Sequence, residues 1–178
     1  MTDSPGLTRP GEGEHAPYYG LYVGQVPDGD VLDILATEVN RTVHLLASLD
    51  ETQAGWRYAP GKWSVKEVLG HVIDVERVFA YRALHFARHD SAPLPSMEQD
   101  EWARAAASDR RSLSSLLDEF IAVRQAVVAM FRGFAPAVWT RRGTASGFEF
   151  TVRSLPYIIA GHELHHRSVL ETKYLPSL

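Results

Sequence analysis

Two imidazoles four residues apart, His162 and His166, stand near the end of a helical segment in the run Gly161-His162-Glu163-Leu164-His165-His166. On a helix, positions i and i+4 share a face, so both rings can close on one metal ion. Leu155, Ile159, His162, His166 and Val169 recur at three- and four-residue steps, which places both histidines on the apolar stripe that faces a core. Burying two polar rings without partners is costly, and a bound cation would satisfy both. The competing structural reading makes one a hydrogen-bonded core histidine and the other a boundary residue; their pairing on one face favours the metal.

Two histidines rarely complete a site. The other candidates for a third ligand are His15, His44, His71, His85, His89 and His165. His71 flanks the stripe of Val68, Val72, Val75 and Phe79, while His85 and His89 read as solvated residues near the far end of the same segment. His44 reads as a boundary residue, and His165, rotated away from the pair, as a pocket wall. Gly70 and Gly161 stand beside His71 and His162. Glycine inside a helix costs roughly 1 kcal/mol relative to alanine, so these two mark either room needed beside the rings or ordinary close packing.

Four helices must position these groups. The first 27 residues, with Pro, Gly and the cluster Tyr18, Tyr19 and Tyr22, read as a mobile tip and then an ordered arm whose rings pack on the body. Helix one is expected over about 30–49. Pro60-Gly61 breaks the following loop, and Ser64 with Glu67 three residues later forms a capping box that starts helix two, which reaches about Arg88. The two prolines between Asp90 and Met97 mark a connection, followed by a short irregular or helical piece around 101–107. Helix three spans about 112–134. Gly143, Gly147 and the alternation Phe148-Glu149-Phe150 suit a turn or small hairpin, and Thr151 or Ser154 can cap helix four, with Pro156 tolerated in its first turn.

With 178 residues and 45% hydrophobic content, the chain can bury one full core, so residues 28–178 are expected to form a single domain behind the arm at 1–27. It has no cysteine, which removes disulfides and thiolate ligands and leaves His and carboxylate as the strong metal ligands. The same absence fits a cytoplasmic protein. A net charge of −4 with scattered basic residues argues against nucleic acid as a partner. No N-terminal run reads as a signal peptide and no stretch approaches the ~20 apolar residues of a membrane span, so a soluble protein without a membrane partner is expected.

The segment Pro60-Gly61-Lys62-Trp63-Ser64-Val65-Lys66-Glu67-Val68-Leu69-Gly70-His71, continuing through Ile73-Asp74-Val75-Glu76-Arg77, resembles the second helix of the DinB/YfiT-like superfamily of metal-dependent enzymes. The run 161–166 resembles its fourth helix, and the likeness extends over nearly the whole chain, including the Tyr-rich arm and the loop 142–147. This resemblance implies an all-α four-helix bundle of DinB/YfiT type with long, unusual connections. It also implies one divalent ion, zinc or nickel, held by His71, His162 and His166, with a homodimer as the common assembly. The levels agree: His71 lies ~10 Å along its helix and His162 ~10–16 Å along its own, which parallel helices would bring together. Three protein ligands and an open position make a catalytic type of site.

The same residues also satisfy His-Glu-x-x-His, the metalloprotease pattern in which the glutamate activates water. Only twelve residues follow His166, and Glu171 is the sole carboxylate among them, so the third ligand such proteases need is poorly supplied. The resemblance implies instead a metal-dependent hydrolase or thiol-dependent S-transferase acting on a small molecule, with a low-molecular-weight thiol as partner. The alternative is a metal-binding stress protein without turnover, in which the ion staples helices two and four. Asp74, one turn after His71, is a candidate to orient that ring or serve as base, against a role as a surface ion-pair partner. Glu163 is the other candidate, against a position on the helix surface, since it is rotated about 100° from His162.

Overall fold

Ser64 accepts a hydrogen bond from the Glu67 amide, and the Glu67 carboxylate accepts one from the Ser64 amide, closing the capping box at the start of the longest helix. In the computed structural model, which describes residues 7–89 and 92–177, this is α4 (Val65–Ala87). Before it come α1 (Gly20–Gln25), α2 (Val31–Ala47) and the single turn α3 (Glu51–Ala54). After it come α5 (Gln99–Ala106), α6 (Leu113–Arg132), the strands β1 (Arg142–Ala145) and β2 (Phe148–Thr151), and α7 (Ser154–Val169), which continues as a π-helical turn over Leu170–Tyr174. Asp30 and Ser112 cap α2 and α6 with their side chains. Neither Thr151 nor Ser154 caps α7; Thr151 Oγ1 donates to Glu14 and Ser154 Oγ donates to the Thr151 carbonyl.

The bundle consists of α2, α4, α6 and α7. Both α2 and α4 pack against α6 and α7, so α2 and α4 occupy opposite corners although they follow one another in sequence. Lys66 meets the Arg111 carbonyl at one end and Arg88 lies over the Phe134 ring at the other, so α4 and α6 run in the same direction. The connection through α5 returns the chain between those parallel helices, which is why it is long. Against α7 the direction is reversed. Tyr174, past the end of α7, donates to the Trp63 carbonyl just before α4 begins, and the hairpin leading into α7 packs on Phe86 near the end of α4. The parallel arrangement expected for these two helices is thus corrected to antiparallel. The histidine levels still match, because His71 lies six residues after Val65 and His166 three before Val169, about 9 Å and about 5 Å from adjoining ends.

The hairpin pairs Arg142 with Thr151 through Ala145 with Phe148. Its two turn residues, Ser146 (φ 54) and Gly147 (φ 79), are both left-handed, as a two-residue type I′ connection requires. Two apolar clusters fill the bundle. One, toward the hairpin, holds Phe79, Phe86, Phe131, Trp139, Phe150 and Ile158; the other, toward the start of α4, holds Leu46, Leu69, Leu116, Phe120, Leu170 and Tyr174. Along α4 the change from one cluster to the other falls between Ile73 and Val75, and along α7 between Ala160 and Leu170. The buried polar groups His71, Glu76, His162 and Glu163 lie in or within two residues of those stretches.

The arm packs as expected: Tyr19 is buried with its ring edge-on to Phe79, and α1 lies along α7. Residues 1–6 of the expected mobile tip lie outside the described residues. Contact between α1 and α7 depends on Gly161, where a Cβ would stand 2.0 Å from the Tyr22 carbonyl oxygen. In an unobstructed helix, Gly→Ala gains roughly 1 kcal/mol. Here Gly161→Ala should instead destabilise by about 1–3 kcal/mol, because backbone must shift, and a melting temperature equal to or above that of the parent would refute this packing. Gly70 has a similar cause, with Ser108 Oγ 2.2 Å from its Cβ position.

Candidate metal centre

His71 on the second turn of α4 and the pair His162 and His166 on α7 bring their Nε2 atoms together. His162 Nε2 lies 3.1 Å from Nε2 of His71 and 3.1 Å from Nε2 of His166, and one ligand atom from each ring falls within 4.8 Å of the others. A tetrahedral ion with nitrogen ligands at 2.0–2.1 Å separates them by about 3.3–3.4 Å, close to what is seen. Hydrogen bonding alone does not account for the cluster. An imidazole nitrogen offers either one proton or one lone pair, so His162 Nε2 can serve one neighbour but not both, whereas a cation between the rings serves all three. The donor set fits a borderline-soft divalent ion.

Electrostatics keep these ligands ready. Burial pushes His71 down to about 4 and His166 down to about 3, and burial with the neighbouring imidazoles holds His162 well below its ordinary value. All three are neutral near pH 7, which coordination requires. Asp100, in the first turn of α5, opposes that shift at His71, so its negative charge favours a cation there. Trp63 lies 4.7 Å from the His71 ring, and Tyr22 meets His162 edge-on at 5.4 Å. His165 lies off the cluster with its ring against Tyr22. A cavity of about 370 Å³ opens beside the cluster, lined by His71, His162, the arm tyrosines, Phe79, Met97 and Arg82.

The two carboxylates singled out in the sequence sit apart from the Nε2 atoms. Glu163 is not on the helix surface but 1% exposed: Oε1 accepts from Thr42 at 2.7 Å, and Oε2 forms an off-axis ion pair with Arg124 at 2.7 Å. Asp74 is half-buried, makes no hydrogen bond to His71 among the described residues, and lines an outer groove with Arg77, Tyr81 and Trp102 that adjoins the cavity beside the cluster and shares Arg82 and Met97 with it. Its nearest cation is Arg77 at 3.8 Å, and burial raises its carboxyl. His85, expected at the surface, is buried, with Nε2 2.9 Å from the Ala92 carbonyl; His89 is exposed.

Sequence reading missed the buried Arg124. It pairs with both oxygens of Glu76, Nε to Oε1 at 2.7 Å and Nη2 to Oε2 at 2.9 Å, and donates to the Leu35 carbonyl, so one guanidinium ties α6 to α4, α2 and α7. Its signal was its position on the apolar stripe of Phe120, Val127 and Phe131. Arg82 stands likewise among Val75, Phe79 and Phe86.

Comparison with known proteins agrees with this fold. Solved structures share the fold, two of them as follows. The first, YfiT from Bacillus subtilis, is described as a probable metal-dependent hydrolase with an unusual four-helix bundle topology; it aligns over 96% of this chain and 93% of its own at 15% identity and TM-score 0.71. The second, a mycothiol-dependent maleylpyruvate isomerase, aligns over 82% of this chain and 61% of its own at 12% identity and TM-score 0.66. No curated protein sequence matches. The sequence model of the DinB superfamily matches residues 34–170, from α2 through the end of α7, and the chain belongs to that superfamily.

Proposed function

We propose that the chain is a metal-dependent enzyme that uses His71, His162 and His166 to hold one zinc or nickel ion and activates a small thiol, or water, toward a small-molecule electrophile. The observation that carries this reading is the convergence of three neutral, sheltered Nε2 atoms on one point beside a cavity. A divalent ion held by three uncharged ligands keeps its full charge and supplies Lewis acidity that lowers the pKa of a thiol or water. The likeness to a thiol-dependent isomerase favours the thiol, and the absence of cysteine leaves that role to a diffusible one.

The chain's own groups divide the remaining work. Tyr22 and Trp63 hold the His162 and His71 rings from outside the cluster. Asp100 favours positive charge at His71, and Glu163 fixes α7 through Arg124 instead of handling protons. That last assignment weighs against the metalloprotease reading, whose glutamate must reach the water it activates. Asp74 is left as a base only for a substrate that enters from the outer groove.

In cobalt-substituted protein, mercaptoethanol should produce a sulfur-to-metal charge-transfer band that His162→Ala abolishes. With chlorodinitrobenzene as acceptor, the sulfur forms the new carbon–sulfur bond, chloride leaves with its electron pair and the thiol proton passes to solvent. Turnover should disappear with the band. Cleavage of unstructured peptides without a thiol response would establish the protease reading, and no response to either would establish a non-catalytic metal protein.

A further inference from the structure

We infer that Arg82 is the specificity residue of the metal cavity and binds a carboxylate at the far end of the substrate from the reacting atom. The inference deepens the proposed function and rests on it for the identity of the reacting end.

Arg82 is 3% exposed yet lines the same cavity as His71 and His162. Its Nη2 donates to the Pro95 carbonyl and to Ser146 Oγ, each at 3.0 Å, and its guanidinium carbon lies 5.0 Å from the centre of the Phe79 ring. No carboxylate pairs with it among the described residues; Glu98, the acid on the cavity wall, is exposed and makes no ion pair with it. A buried cation without an anion is costly, and an aromatic face offsets only part of that cost. Arg124, equally buried in the same bundle, has two carboxylates. The hydrogen bonds to Pro95 and Ser146 engage Nη2 alone, so Nη1 and Nε keep their donors for a ligand.

Position sets the ligand's length. The guanidinium stands at the level of Phe79, eight residues from His71, which puts it about 12 Å along α4. The lining mixes apolar and aromatic residues, Val75, Phe79, Tyr19 and Met97, with the polar Ser96 and Gln99. A fitting substrate therefore has a carboxylate at one end and its reacting group on the order of 10 Å away. A single guanidinium with neutral neighbours matches one carboxylate better than a doubly charged phosphate.

The test compares 6-mercaptohexanoate with 6-mercaptohexanol, which differ in charge at the end opposite the sulfur. Calorimetric titration of metal-free protein should show the acid binding about tenfold tighter than the alcohol, as one charged hydrogen bond allows. Arg82→Met should erase the difference, and Arg82→Lys should keep part of it. Equal binding of the two by the parent protein, no binding of the acid, or an acid preference that survives in Arg82→Met overturns the assignment. The parent arm does not depend on either variant folding. In cobalt-loaded protein the charge-transfer band reports the sulfur end separately. Acid preference without a band leaves Arg82 standing and removes the thiol reading; a band of equal strength with acid and alcohol at every concentration does the reverse.

Discussion

Arg124→Met should lower the unfolding free energy by about 3–5 kcal/mol, because it strands the Glu76 and Glu163 carboxylates in the bundle interior. For a chain of this size that is a fall in melting temperature on the order of 10 °C. Removing a buried cation costs more than the pair contributes against an apolar replacement, since the charges left behind keep their desolvation penalty. The effect should therefore be strongly non-additive. A triple variant, Arg124→Met with Glu76→Leu and Glu163→Met, should recover much of the loss, and Thr42 then remains as the polar group to be satisfied. Circular-dichroism melts at neutral pH decide the matter. A loss under about 1 kcal/mol for Arg124→Met would mean that the network is solvated and does not bind the four helices together.

That network shows where a sequence reading stops. The Ser64–Glu67 box, the stripe on α7 and the Ser146-Gly147 turn are local: the residues that cause each feature lie within a few positions of one another, so the spacing was enough. The histidine triad spans 91 positions between His71 and His162, and there the periodicity showed which histidines face inward, while the choice of His71 came from family likeness. Helix direction was not legible. Matching depths along two helices are met by either a parallel or an antiparallel pair, and it takes contacts between distant segments, Tyr174 with Trp63 and the hairpin with Phe86, to separate the two. Glu163 was misplaced for a related reason. A rotation of 100° from His162 moves a side chain off one helix interface, but α7 packs on α2 as well as α4, so the rotated face meets Thr42 and Arg124 in place of solvent. Arginines on apolar stripes, at 82 and 124, were the readable sign of buried charge.

Removing the metal proposed for the triad should destabilise the fold and make its stability pH-dependent on the acid side. An ion that binds the native state alone stabilises it by RT ln(1 + [L]/Kd), ~4 kcal/mol at a thousandfold excess over Kd. A chelator should lower the melting temperature accordingly while helical content persists, since two apolar clusters hold the bundle on either side of the site. In the stripped protein the imidazoles resist protonation: His71 is held at about 4 and His166 at about 3, against about 6.5 in the unfolded chain. Between those values the unfolded chain takes up protons that the native state refuses. Stability is then complete above pH 6.5 and falls as the pH drops through the window toward 4, by up to about 1.4 kcal/mol per pH unit for each histidine. Metal loading should shift the same way, because protons compete for the ligand nitrogens. Alanine at 71, 162 or 166 should remove most bound metal and flatten the acid slope of the stripped protein, whereas His89→Ala, on an exposed residue, should change neither. Melting curves from pH 7.5 to 4.5, with metal content measured on untagged protein, separate the outcomes; full metal retention by His71→Ala, or a stripped protein whose melting temperature is as flat with pH as that variant's, would refute the triad.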